Sequence, residues 1–383
     1  MGRWCPALIA AVALALPAGA GANIDYGAPV QYAAGPDPWP ISAGDLDGDG
    51  DLDLVTGNFN SSVQGFSVFP NGGAGTFGAP THYPSGGNAE TLDLGTLDAG
   101  TDLDLASGTN NEASVLFGGA GATFGPTLSF GSWVGQSRGT GIADFNRDGN
   151  DDIVVAEDER KLVYLRGRGD GTFKPQKERS LRPKSADELS VARLNDDKRP
   201  DVVIGADGKR SVLVLLTRKG KQPFKKPEAF RGLRIPSDVA TGDLNGDGRP
   251  DVVESGGNVD DKRASKRGGP SAGRVAVMLG HNDGHLSKPE TTKLPGLGGA
   301  NGLDVADLNG DGDLDVVVAR ADGTVAILKG KGNGRFRDNF QIVDLGAASF
   351  AQNVAATNLN ADDALDLALT NGTEDQITVL LHD

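Results

Sequence analysis

Apolar positions along this chain come in short clusters, not in helical stripes. Continuous β-branched runs such as LDLVTG (52–57), DIVVAE (152–157), DVVIGA (201–206) and LDVVVAR (314–320) follow alternating segments such as PWPISAG, SRGTGIA and IPSDVATG. A second apolar segment comes next, for example VQGFSVFP, KLVYLRG, VLVLLTR or TVAILKG. A glycine-rich turn (NGGAGTF, GDGTF or GNGRF) then leads into a polar, proline-bearing stretch. Period-2 patterning bounded by Gly, Asn and Asp predicts short antiparallel strands, and no stretch sustains a helical period.

Between the first and second segments lies an aspartate-rich loop. DLDGDGDLD occupies 45–53, DFNRDGNDD 144–152, DLNGDGRPD 243–251 and DLNGDGDLD 307–315. Weaker copies are TLDAGTDLD (96–104), RLNDDKRPD (193–201) and NLNADDALD (358–366). The intervals between starts are 51, 48, 49, 50, 64 and 51 residues, a register that a disordered acidic tract would not keep. Seven units of four strands predict an all-β, seven-bladed β-propeller over residues 23–383. The ends agree with a closed ring. YGAPVQY (26–32) matches FGAPTHY (77–83), so the mature chain opens with a fourth strand, while the last unit stops after its third, ITVLLHD. Pairing the two would complete blade 7 and leave no open edge.

The spacing D-x-[DN]-x-D-G resembles the first half of an EF-hand loop, closed here by Asp at position nine. Side-chain oxygens would come from Asp45, Asp47, Asp49 and Asp53, with the backbone carbonyl of Asp51. The later copies offer Asp144, Asn146, Asp148, Asn150 and Asp152; Asp243, Asn245, Asp247, Arg249 and Asp251; and Asp307, Asn309, Asp311, Asp313 and Asp315. Hard oxygens without nearby His or Cys suit Ca²⁺ better than Zn²⁺. Asp51 is expected to expose its side chain, and Asp49 to be the member most enclosed by ligands. The loop of Asn358, Asn360, Asp362, Ala364 and Asp366 keeps its oxygens but has Asp363 in place of glycine, so a fifth ion is left open. Thr96 and Gly100 in the second copy, and Arg193 and Lys198 in the fourth, argue against metal there.

These repeats resemble the FG-GAP (VCBS-type) repeats of integrin α-subunit propellers and of many exported bacterial proteins. FGAP at 77–80 and the four intact loops carry the resemblance, which spans nearly all of 24–383. It implies Ca²⁺ between the first and second strands of a blade, and a role in adhesion, in ligand binding or as a module of a larger enzyme. It also implies a ligand face opposite the metal. On that face the sequence places Trp39, Trp133 and the insertion GGNVDDKRASKRGGPSAG (256–273), with Lys262, Arg263, Lys266 and Arg267 as flexible contact groups.

Composition narrows the function. An apolar run, Ala7 to Leu16, behind Arg3 and ahead of Ala20-Gly21-Ala22 reads as a signal peptide over 1–22, too short to span a bilayer. Export to the periplasm, the cell surface or the medium is expected. The net charge of −15 is uneven: residues 160–234 hold 21 Lys and Arg against nine Asp and Glu. Part of that basic excess, KPQKERS and KKPEAFRG, lies on fourth strands, where it guards an edge or meets an anionic glycan. HNDGH (281–285) and RGD (168–170) both fall in glycine turns, and neither reads as a zinc site or an adhesion motif. With no nucleophile elbow or P-loop, the expectation is a monomeric binding or adhesion module for an extracellular protein or anionic glycan. Nucleic acid and catalysis are not expected; a glycan-binding or lyase-like protein is the alternative.

Overall fold

The structure, a computed structural model, describes residues 24–382 except 61–63, 159, 182–185, 207–211, 220–222, 258–271, 297 and 347–349. The signal-peptide expectation and the four basic residues of the insertion therefore lie outside the described residues. Among the described residues there is no helix, and seven four-stranded antiparallel sheets form the molecule.

Each sheet is one predicted blade. In blade 3 the order is Ser137–Ala143, Asp152–Glu157, Lys161–Leu165 and Lys177–Ser180. First strands contact one another from blade to blade around the axis, and the strand Ala351–Thr357 returns to Pro38–Gly44 to close the ring. The seam is built as expected: Val30–Ala33 pairs antiparallel with Gln376–Leu380, with Val30 opposite Val379 and Ala33 opposite Gln376. Ile24 extends that closure, 1% exposed in the core between blades 6 and 7.

The second and third strands are buried on both faces because each blade is sandwiched by two others. Asp152–Glu157 and Asp201–Ala206 are buried at every residue. Seven hydrophobic clusters result, one at each junction between blades. Burying an aliphatic side chain at such a junction stabilises by about 1.5–3 kcal/mol. One addition was not predicted: in blade 2 a two-residue ribbon, Gly118–Gly119 with Thr123–Phe124, replaces the simple turn between strands three and four.

First strands carry one further feature. In five blades the pairing of strand one with strand two slips near its start, at Pro38/Ile41, Ser137/Gly139, Ala186/Leu189, Pro236/Asp238 and Ala351/Val354. These bulges ring one end of the central channel and re-aim the side chains they contain.

Candidate functional site

The four intact loops share one backbone device. Positions four and six are both left-handed: Gly48 and Gly50, Arg147 and Gly149, Gly246 and Gly248, Gly310 and Gly312. The first aspartate then accepts two backbone N–H groups. Asp243 takes Asp247 at 3.0 Å and Gly248 at 2.7 Å, and Asp307 takes Asp311 at 3.1 Å and Gly312 at 2.9 Å. The side chain at position five accepts the N–H two residues on in all four, as Asp49 does from Asp51 (2.9 Å). Position three does so in blades 1, 5 and 6, as Asp47 does from Asp49 (3.2 Å), whereas Asn146 in blade 3 donates its amide to Asp152 (2.7 Å). In blade 1 these turns bring oxygens of Asp45, Asp47 and Asp49 within 4.8 Å of one another. Oxygens on one Ca²⁺ sphere, with bonds of about 2.3–2.6 Å, can stand no farther apart than about 5 Å. The donor set therefore fits a hard divalent cation.

The ninth residue has a second task that spacing did not reveal. Asp53 is buried, and its two oxygens accept N–H from Leu46 (3.0 Å) and Asn71 (2.8 Å). All seven blades repeat this clamp between the loop and the end of strand three: Asp104, Asp152, Asp201, Asp251, Asp315 and Asp366 bond Gly118, Gly167, Thr217, Gly280, Gly330 and His382 in turn. Burial raises these carboxyls, to about 7 for Asp152 and Asp315 and about 6 for Asp251, although the N–H donors oppose it. Two expectations within the loop are corrected. Asp49 is exposed and Asp53 is the enclosed member, because the clamp pulls position nine inward. Asp51 is half-buried, since the turn at Gly73 packs against its carboxylate.

Arginines separate the loops. Asp148, Asp247 and Asp311 at position five pair with Arg166 (2.5 Å), Arg249 (3.4 Å) and Arg337 (3.3 Å). Burial acts to raise the Asp148 carboxyl, but the Arg166 hydrogen bond and its neighbours outweigh it and hold the group below its ordinary value. No such ion pair reaches Asp49 among the described residues.

The weaker copies diverge as their substitutions imply. Lys198 is left-handed in place of glycine, so the turn survives with a lysine in it, and Arg193 is exposed. In the second copy Ala99, Gly100 and Thr101 all stay out of the left-handed region. In the last, Ala361 is left-handed but Asp363 is not, and Asn358 donates its amide to the Asp362 carbonyl. Asn360 and Asp362 keep their turns, at 3.2 Å and 2.8 Å.

At the other end of the channel is a cavity of about 480 Å³ to which every blade contributes. Trp39 lines it, half-buried and packed at a 60° tilt against Phe59 with ring centroids 5.2 Å apart. Trp133 does not. It is 5% exposed within the core between blades 2 and 3, so its expected place among exposed contact groups is wrong. The apolar neighbours Val115, Ile142 and Leu165 bury the ring. The sequence reading missed the rest of the lining, including Glu90, Arg138, Asp187, Glu188, Asp238 and Phe350. Aligning the repeats on their loops offers a signal: Glu188 and Asp238 both stand five residues ahead of a loop start, and Asp93 and Asp304 three.

HNDGH forms the expected turn, with His281 N–H on the His285 carbonyl at 2.9 Å. RGD lies in a turn whose Gly169 is left-handed, and a Cβ there would fall 2.1 Å from Asn150 Oδ1. Packing against the loop of blade 3 accounts for that glycine.

The FG-GAP-like repeat family profile matches residues 144–192, 193–254, 268–318 and 307–369, more than half of the chain. A search of curated proteins finds no match. Among solved structures, an Agrocybe aegerita lectin described by its recognition of non-reducing terminal N-acetylglucosamine is 21% identical. It aligns over 81% of this chain and 80% of its own with a TM-score of 0.57. Two structures of BBS1N in complex with ARL6DN, soaked with lead and with mercury, align over 94% of this chain and 98% of theirs. Their TM-score is 0.62 at 10% identity. At these identities the likeness is one of fold.

Proposed function

The chain belongs to the FG-GAP-like repeat family, and from that footing we propose that it is an exported, calcium-binding propeller that captures a ligand without catalysing a reaction. The observation that carries the metal is the paired left-handed residues shared by four loops, which in blade 1 bring oxygens of Asp45, Asp47 and Asp49 within reach of one ion. Asp45, Asp47, Asp49 and the Asp51 carbonyl would hold the ion in blade 1, with the corresponding residues in blades 3, 5 and 6. Bound calcium would offset the mutual repulsion of these carboxylates and tie each loop to its blade. Ligand capture belongs to the opposite end, where the bulges gather side chains from all around the ring.

Native mass spectrometry with calcium titration tests the metal: four ions per chain are expected, and two or fewer would reduce the loops to turns. A binding array of glycans and extracellular proteins, with and without calcium, tests ligand capture. Polysaccharide turnover on that panel would overturn the non-catalytic reading.

A second reading is an anionic glycan on blade 3. Arg166, Arg168, Lys174 and Lys177 line a recess of about 430 Å³ with Tyr164 and Pro175. If it serves this purpose, sulfated glycans bind and Lys174→Gln weakens them; equal binding by the variant removes this reading.

A further inference from the structure

We infer that the channel mouth opposite the aspartate loops is a receptor site for a primary alkylammonium group. The inference deepens the ligand-capture reading above and does not depend on calcium.

The mouth is built, not incidental. Trp39, Arg138, Asp187, Glu188, Ser237, Gln352 and Asn353 all line the cavity, and all sit within the five slips of the first strands. In a regular strand, alternate residues would point between blades; a bulge turns such residues to the axis instead. The cavity, about 480 Å³, falls in the size range of small-molecule sites.

Its chemistry is acidic with aromatic walls. Glu90, Asp187, Glu188 and Asp238 face one guanidinium, Arg138, beside the rings of Trp39 and Phe350. Glu90 is 5% exposed, and neither of its carboxylate oxygens receives a hydrogen bond among the described residues. Its contact with Arg138 is 3.8 Å, too long for a hydrogen bond, and Arg138 is engaged by Gln136 at 2.7 Å. A buried carboxylate without a donor is costly, and a ligand N–H would remove that cost. The excess of acid continues inward with Asp93 and Asp304 on the first strands of blades 2 and 6.

A bare metal ion fits less well. The one group of three acidic side chains close enough to share an ion among the described residues is Asp45, Asp47 and Asp49, at the other end of the molecule. The mouth's carboxylates are spread around a ring. An ammonium on a methylene stem can hydrogen-bond one or two of them while its stem lies on Trp39, where cation–π attraction adds to the contact.

The source could be a free polyamine or a lysine of a partner protein, and calorimetry on the full chain separates them. The probes are spermidine, Nα-acetyl-lysine N-methylamide and the uncharged norleucine analogue. Binding of spermidine or the lysine amide is expected, with the norleucine analogue inert. Spermidine alone points to a polyamine, and the lysine amide to a protein side chain. The double variant Glu188→Gln/Asp238→Asn should lose at least about tenfold in affinity, whereas the exposed Asp338→Asn should not. Should the double variant fail to fold, Glu90→Gln carries the same expectation. Calcium stoichiometry, read on the same samples, should stay constant. Failure of both amines at about 10 mM, binding by the norleucine analogue, or equal affinity in the mouth variants would overturn the inference. A loss of calcium without loss of amine binding would instead count against the metal reading alone.

Discussion

The carboxylate of Asp304 reaches out of blade 6 and accepts the N–H of Ala356 in blade 7 at 2.9 Å, while its other oxygen takes the N–H of Val305 at 2.7 Å. Asp93 joins blade 2 to Ile142 of blade 3 in the same way, and Asp238 joins blade 5 to Leu303 of blade 6, each at 2.8 Å. These clips hold adjacent first strands together along the channel. Each keeps some surface open to the channel, so the environment is deep in the ring rather than sealed. Burial nonetheless raises their carboxyls, to about 7 for Asp93 and Asp238 and about 6 for Asp304.

The sign of the resulting pH dependence follows. In the folded chain these groups hold protons that the unfolded chain releases near pH 4. Their contribution is fully present below that pH and is lost as pH rises toward 7, by at most about 1.4 kcal/mol per pH unit for each group. Calcium-free protein should therefore lose denaturant stability between about pH 4 and 7, and Asp93→Asn should flatten the slope. A slope unchanged in that variant would show that the channel carboxylates are not responsible.

Chelation should lower the melting temperature. With calcium removed, the clustered carboxylates of the four intact loops repel one another, offset only in part by the arginines beside Asp148, Asp247 and Asp311. Calcium should restore the melt better than magnesium, which prefers rigid octahedral sites. Superimposable melts with and without EGTA would exclude a stabilising metal.

Arg337 should compete with the metal at the loop 307–315. Its guanidinium stands 3.3 Å from Asp311, a position-five carboxylate that is itself nearly buried. Arg337→Ala is expected to raise calcium affinity there severalfold by calorimetry. A fall in affinity would mean that the arginine orders the loop rather than opposing the ion.

The seam should govern cooperativity. Deleting residues 24–34 removes the strand paired with Gln376–Leu380 and uncovers its edge, so aggregation or a broadened unfolding transition is expected. The single change Ile24→Ala should cost about 2–5 kcal/mol by chemical denaturation. Parent-like melting of the deleted chain would show that the ring closes some other way.

The two tryptophans should part company. Trp133→Ala removes a core side chain and should cost about 3–5 kcal/mol in stability with ligand binding per folded molecule intact. Trp39→Ala should weaken ligand binding with a much smaller loss of stability. Equal losses of binding in both would return Trp133 to the ligand face.

Much of this molecule is written locally. Strand alternation, glycine turns and the near-constant interval between loops determined the all-β class, the blade number and the seam, because each depends on backbone preferences within a few residues. The loop at 45–53 was legible for the same reason: a turn in which each side chain bonds the N–H two residues on is set by its own sequence. The mouth of the channel was not. It gathers residues from blades about fifty positions apart, and a slip of one residue in a first strand decides which side chain faces the axis. Trp39 stands six residues ahead of its loop, inside a first strand, and lines the cavity, whereas Trp133, eleven ahead, packs in the core between blades 2 and 3. The clamp by Asp53 escaped for a related reason, since its partner Asn71 comes from the far end of strand three, and only the folded blade brings that N–H to the loop.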